Sequence, residues 1–460
     1  MDIFIISTFI IIPLLIGIII LIFEKKINNN ELVKINIFTS LTFLITSIYS
    51  FCFYCLENNQ YTEPEKIHSL ITPILSQKFA IFEIKNYLLI DNYNVIILIA
   101  ISLIAFCIAL FPDKILNKKQ TVYTLFFKFG IYGCIISNNI FLFSLFLIIS
   151  NILFYLILFK KKEIEKAIIP SISIFITLLI LILNNFNIIT NVFIIFPILF
   201  ITSLILSGFP YTDKWITENK IKNGNEIFTV TIFGKCGILI FFKYAVIICY
   251  NAISFYLPFI IISGIIFAII KTVQSLNEKN FQKICINYLA INSAIMIISI
   301  DTLSSLTFIC ILLSIFTGLI TQTAMLFCST LMEIKSTKNE NIFINKDNLF
   351  FRTMLIISCL SALFIPGTAT FIPYIFMLEV ATENSALTLL FLLLYPISSE
   401  IYLYKKLQPI LQKTENQVNL RTIDIYEQTG LIIMNFVLIA IGILPTIILQ
   451  PIVLIKMFIS

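Results

Sequence analysis

Three lysines stand inside stretches otherwise made for lipid: Lys128 in TVYTLFFKFGIYGCII, and Lys235 and Lys243 in IFGKCGILIFFKY. None has an acidic neighbour in the sequence. An ammonium group at mid-bilayer costs roughly 2.5–3.5 kcal/mol on insertion scales, so a lysine there is by default a functional-site candidate. The chemistry it offers is proton uptake and release, because withdrawal from water disfavours the charged form of a lysine. The competing reading is a long side chain that snorkels from near a helix end. Lys235 sits nine residues into a helix read over 226–250. That is about 13 Å deep at 1.5 Å per residue, near the centre of a roughly 30 Å core. Lys243 lies about two turns from the other end, and Lys128 is seven residues into its own helix, so either could reach an interface.

The second feature is a break signal. Pro366-Gly367 falls inside an apolar run over 350–379, with Pro373 about two turns later. Proline removes a backbone hydrogen bond and glycine loosens the turn. Two readings stay open: a simple kink, or a helix broken at membrane depth, where unpaired backbone dipoles can line an ion site.

Other chemistries lack their residues. The single His68 cannot supply a haem pair, and the ten cysteines fall mostly inside apolar runs. Cys52 and Cys55 form a lone CxxC without a second pair, which reads as membrane-buried thiols. No metal or redox cofactor is expected, and no catalytic site. There is no Gly-rich phosphate loop and no nucleophile with its base. The net charge of +6 is spread over short loops rather than gathered in a nucleic-acid-binding patch.

The elements that must position these residues are membrane helices. The 460 residues are 59% hydrophobic and 12% charged, against about 25% charged in soluble domains. Apolar runs of about 20 residues recur along the chain, which indicates helices rather than a barrel. The first run, IFIISTFIIIPLLIGIIILIF, exceeds a signal-peptide core and no small-residue cleavage site follows it, so it reads as a span. Fourteen spans result, near 3–23, 36–55, 93–111, 121–138, 140–159, 167–184, 188–209, 226–250, 253–274, 284–300, 304–332, 350–379, 385–404 and 430–455.

Alternate loops hold 24 of the 31 lysines and arginines, among them the run KKKEIEK at 160–166 and the group Lys271, Lys279 and Lys283. The opposite loops hold four. One missed helix would scramble this alternation. By the positive-inside rule both termini face the non-cytoplasmic side, as does the 56–92 loop with its glutamates. The expected compartment is the bacterial cytoplasmic (inner) membrane, ahead of the mitochondrial inner membrane. The chain divides into helices 1–3 with the external loop (1–120), a core of helices 4–13 (121–405), and a C-terminal loop with helix 14 (406–460).

Four ordered stretches resemble a known family. LFFKFGIYGCIISNNIF at 125–141 resembles its LF…GxxGxFxSxDLF, and GKCGILIFFK at 234–243 its LLKxGxYxxxR helix. VQSLNEKNFQKICINYLAINSAIM at 273–296 resembles AxxQxDLKRxLAYxxVSxxGxM, and IPGTATFIPYIFML at 365–378 the broken helix PGxxxFxGEFxIL. The family is that of the antiporter-type membrane subunits of respiratory complex I (NADH:quinone oxidoreductase chains L, M and N) and of Mrp-type sodium/proton antiporters (subunits A and D). The nearest types are Mrp D and complex I M. The resemblance runs from about residue 85 to 450.

The resemblance implies an all-α polytopic membrane protein of about fourteen helices. Its core would be two inverted five-helix repeats, helices 4–8 and 9–13, each with one broken helix. It also implies a subunit of a proton- or cation-translocating assembly, a relay of buried Glu, Lys and water, and no redox centre of its own. The implied partners are other membrane subunits, the lipid bilayer and protons, with sodium as a second candidate ion. The relay residues are largely replaced. The helix 5 glutamate falls on Ile148, the helix 7 lysine near Leu204 or Ile205, and the helix 11 histidine and lysine on Leu319 and Thr323. The ionisable residue of helix 12 falls on Tyr374. FPYTDKW at 209–215 keeps Phe209, Pro210 and Trp215 with one extra residue and no histidine. Lys235 alone stands where a relay lysine is expected, and Lys243 takes the place of the arginine. An ion-translocating subunit, a structural subunit that has lost translocation, and an unrelated polytopic carrier are the three readings.

Overall fold

In the computed structural model, the described residues are 2–57, 88, 92–111, 118–138, 140–158, 168–185, 191–210, 212–213, 215, 221–246, 249–301, 305–333, 349–384, 386–396 and 425–445. Among them the regular secondary structure is helical apart from one bridge between Leu88 and Ser137. His68, the KKKEIEK run and most of the loops at 56–92 and 397–424 lie outside the described residues.

The N-terminal helices are α1 (Asp2–Ile22), α2 (Asn29–Glu57) and α3 (Asn92–Ala109). α4 (Lys118–Ile136), α5 (Ile140–Leu158), α6 (Ile168–Asn185) and α7 (Val192–Leu206) follow. Next come α8 (Gly224–Ile240), α9 (Tyr250–Asn277), α10 (Phe281–Ile298) and α11 (Ser305–Glu333). α12 (Leu349–Ala362), α13 (Phe371–Asn384), α14 (Ala386–Pro396) and α15 (Ile425–Ile443) complete the described part. Seven of these are long and apolar enough to cross a bilayer. The protein is therefore a multi-pass membrane protein. In the membrane, helices satisfy their own backbone groups, which is why these apolar runs take no other form.

Burial separates centre from rim. Over their apolar windows α8 and α10 are 94% buried and α11 100%, whereas α1, α2, α9 and α15 are 28–39% buried. The rim helices turn residues such as Phe4, Ile22, Phe38, Phe255 and Phe436 outward, towards where lipid would lie. The enclosed helices can thus carry polar side chains, and they do: Lys235, Asn287, Asn292, Ser293, Gln322 and Thr323 are all buried. Aromatic packing holds the first half of the centre. Phe233 of α8 stacks on Phe154 of α5 with centroids 4.3 Å apart and meets the fully buried Trp215 edge-on at 5.7 Å.

Two spans read as single helices are interrupted. The 350–379 span is two helices, α12 and α13, separated by residues 363–370. Phe364 and Gly367 there take positive φ angles of 57° and 88°. Gly367 is suited to such a turn, having no Cβ to clash. Pro373, read from sequence as part of the break, lies in the first turn of α13, where its missing N–H costs little. The 226–250 span leaves the α-helical repeat at Phe241 and winds as a π-helix over Phe241–Val246, a form that accommodates one extra residue per turn. α7 ends at a Ser207 cap, and Gly208 follows with φ 85°. The two positive-φ glycines among the described residues therefore sit at the ends of α7 and α12, the fourth helices of the two expected repeats.

Candidate functional site

Lys235 lies eleven residues into α8, and its side chain is 1% exposed. At 1.5 Å per residue that is about 16 Å from the helix start. Asn292 lies eleven residues into α10, at a matching depth. The Lys235 ammonium donates to Asn292 Oδ1 at 2.7 Å and to Ser293 Oγ at 3.0 Å, with the Leu289 carbonyl at 3.4 Å. All three are neutral acceptors. An ammonium has three protons to place, and a buried donor left unmatched costs about 1–3 kcal/mol, more when charged. The three acceptors of α10 meet that requirement.

Asn292 is held in turn by α11. A Cβ placed on Gly318 would stand 2.6 Å from Asn292 Oδ1, so only a glycine leaves room for the amide there. One turn before Asn292 on the same helix, the Tyr288 hydroxyl donates to the Ala362 carbonyl at 2.7 Å. Ala362 is the last residue of α12, so this is one of the carbonyls that the break leaves without a helical partner. Around it, Ser361 Oγ lies 3.0 Å from Thr321 Oγ1 of α11 and 3.4 Å from Thr370 Oγ1. The Thr370 hydroxyl also donates to the Ser361 carbonyl. α10 also packs beside the glycine that ends α7, because a Cβ on Gly208 would lie 3.4 Å from Ala290 Cβ. One enclosed helix therefore contacts Lys235 and the ends of both α7 and α12.

The break is packed by backbone on its far side. A Cβ on Gly442 of α15 would meet the Gly367 carbonyl oxygen, and the Thr368 carbonyl carbon at 2.6 Å. Tyr374, onto which the sequence resemblance places the family's helix 12 ionisable residue, donates its hydroxyl to the Leu392 carbonyl at 2.8 Å and stacks on Phe364 at 5.1 Å. Thr323 donates to the Leu319 carbonyl of its own helix at 2.6 Å. Ile148 packs against the hydrophobic core. The replaced positions are thus filled by side chains satisfied locally.

The other two sequence candidates lie apart from this group. Lys128 does not snorkel: it is 3% exposed, donates to Asn36 Oδ1 at 3.2 Å and Ser40 Oγ at 3.0 Å on α2, and faces the Phe228 ring at 5.4 Å. It ties α4 to α2 and α8. Lys243 stays half-buried in the π-turn and donates to the Ile135 carbonyl at 2.7 Å. Ile135 is in the last turn of α4, where the helix dipole is negative and a cation is favoured.

One charged pair was not anticipated. Lys271, counted with a loop in the sequence reading, lies inside α9 with no exposed surface and is ion-paired with Asp213. Asp213 belongs to the FPYTDKW stretch that follows α7. The pair thus fastens the segment after α7 to α9. The extra residue in FPYTDKW was the available signal, but nothing in the sequence tied it to a lysine 58 positions on.

No family model and no curated protein matches this sequence. Solved structures do match. A chain of the Mrp complex from Dietzia sp. DQ12-45-1b superposes with a TM-score of 0.82 at 10% identity, covering 98% of this chain and 97% of that one. The chain shares the fold of these membrane-complex subunits. A chain of the membrane-bound sulfane sulfur reductase, an archaeal respiratory membrane complex, matches at TM-score 0.78 and 12% identity over 99% of this chain and 98% of that one. One from respiratory complex I of Thermus thermophilus with bound NADH matches at 0.77 and 11% identity over the full length of both. At such identities the likeness is one of fold. The fold shared with these chains covers nearly the whole of this one.

Proposed function

We propose that this antiporter-like chain is an ion-translocating membrane subunit of a multi-subunit assembly of the Mrp or complex I kind. Lys235 is its proton-carrying group. The observation that carries this reading is the Lys235 ammonium held at mid-helix depth by neutral acceptors on α10, the helix that also meets the ends of α7 and α12. With no carboxylate among those acceptors, the ammonium can lose its proton without stranding a buried anion. The amine left behind keeps its place, because Asn292 and Ser293 can each donate a hydrogen bond to it. A proton released on one side and regained from the other completes one passage. Ser207 Oγ, packed beside Gly237, and Gln322 Oε1, one turn past Gly318, are buried without a hydrogen-bond partner among the described residues. Buried oxygens of this kind bind water readily, which supports a hydrated route through the centre.

Within that reading the chain takes the D-like place of an Mrp assembly or the M-like place of complex I. It lies in a bacterial inner membrane with both termini outside. Protons are the transported ion, with sodium as the exchanged cation.

A second reading has its own support. Ile148, Thr323 and Tyr374 are satisfied locally, so the Glu/Lys pairs that would drive a relay have neutral, settled replacements. On that reading the chain fills an antiporter place as a structural subunit. Ion flux driven by a pH gradient, measured in vesicles holding the whole complex with and without Lys235→Ala, separates the two. A translocating subunit loses flux; a structural one keeps both flux and assembly.

A further inference from the structure

A cavity of about 420 Å³ lies between the adjoining ends of α1 and α2. α1 lines it with Ile16, Ile19 and Ile20, and α2 with Ile35, Phe38 and Thr39. The Thr39 hydroxyl is turned back to the Asn36 carbonyl at 3.0 Å, so it offers the cavity no polar group. Phe38 is 66% exposed, and the cleft opens to the outside of the bundle. Lys34 is its one charged lining residue.

The depth of the cleft has a specific length. In the expected spans 3–23 and 36–55, Ile16 lies seven residues from the end of the first and Thr39 three residues from the start of the second. At 1.5 Å per residue these are about 10 and 5 Å. One leaflet of hydrocarbon is about 15 Å, half of a 30 Å core. The apolar slot therefore lies within one leaflet. A neighbouring transmembrane helix would need a groove across both leaflets, whereas an acyl chain needs one.

The mouth of the slot is cationic. Lys26 stands over the Phe23 ring at 6.0 Å, and Lys118 of α4 donates to the Glu24 carbonyl at 2.8 Å. Lys25, Lys34 and Lys119 lie at the same helix ends, against two acids, Glu24 and Glu31. Glu31 is engaged with the Asn28 backbone N–H at 2.8 Å. Lys34 is exposed, and its stem can carry the ammonium to the interface. Basic groups beside a slot between membrane helices recognise anionic head groups.

We propose that this cleft binds one anionic phospholipid, with an acyl chain against Ile16, Ile19 and Phe38 and the phosphate held by Lys34 and Lys26. The site does not depend on whether the chain translocates ions.

The test is native mass spectrometry of the full chain after exchange from vesicles of equal parts phosphatidylglycerol and phosphatidylcholine. One phosphatidylglycerol should be retained in preference to phosphatidylcholine. Lys34→Gln and Lys26→Gln should each lower that preference by about fivefold, the effect of one near-surface lysine. Lys34→Arg should keep it. Ile35→Trp should expel the lipid by filling the slot while leaving every charge in place. Should that variant fail to fold, the exposed lysine variants still decide. Equal retention of both lipids, or unchanged retention in the two glutamine variants, overturns the proposal. So does a partner subunit's helix found seated in the cleft of the assembled complex.

Discussion

Tyr288 and Asn292 stand one turn apart on α10, and between them they join the Lys235 ammonium to the last carbonyl of α12, where the span breaks. The relay of the resembled family is built from charged side chains. Here the contact between the same regions is made by an amide, a phenol and hydroxyls. This arrangement is inexpensive to bury, since each neutral group needs only its hydrogen bonds, and it leaves Lys235 as the ionisable member.

Asn292→Ala should remove the shortest of the Lys235 hydrogen bonds. A bond to a charged group contributes about 1.5–3 kcal/mol, so the thermal unfolding midpoint in detergent should fall measurably. Flux in vesicles should fall with it. An unchanged midpoint would mean that Lys235 is satisfied some other way.

Tyr288→Phe keeps the ring and removes only the hydroxyl that reaches the Ala362 carbonyl. The bared carbonyl should cost about 1–3 kcal/mol. Hydrogen exchange would localise the loss to the end of α12. Exchange that rises evenly through the bundle would contradict a specific tie at the break.

The two glycines at the break should respond differently to alanine. Gly367 has nothing within 4 Å of a built Cβ but a φ of 88°, so Gly367→Ala should cost only the backbone strain, about 1–2 kcal/mol. Gly442→Ala would press a methyl group onto the Gly367 and Thr368 backbone, so it should cost more and displace the break. Thermal unfolding of both variants, with the reverse order, would show that α15 does not pack there.

The Asp213–Lys271 pair predicts a double-variant effect. Asp213→Asn alone leaves a buried ammonium without its carboxylate, at a cost of about 3–5 kcal/mol. Asp213→Leu with Lys271→Met should recover most of that stability, since an apolar pair of similar volume is often neutral. If the double variant is as unstable as the single one, something other than the pair holds this segment to α9.

Much of the fold was legible because lipid makes its demands locally. Each span needs its own apolar run, so every expected span holds at least one helix among the described residues, the 350–379 span holding two. Pro366-Gly367 was readable because a proline followed by glycine inside such a run has few structural outcomes. The π-turn at Phe241–Val246 was not readable, because GKCGILIFFKY continues a helical pattern without interruption. The site was legible only in Lys235. Its acceptors Asn292 and Ser293 lie 57 and 58 residues away, and only packing brings them to the lysine. Lys271 was placed in a loop and the burial of Lys128 was left open for a shared reason. Burial of a lysine depends on which partner helix supplies its acceptor, and Asn36, Ser40 and Asp213 are ordinary polar residues in sequence.

The central claim concerns Lys235, and the most direct measurement is flux driven by a pH gradient in vesicles holding the intact complex, with Lys235→Ala compared to the unaltered chain. The account predicts a loss of at least about tenfold with the complex still assembled, tenfold being a barrier change of about 1.4 kcal/mol. Undiminished flux from an assembled complex carrying Lys235→Ala would contradict it.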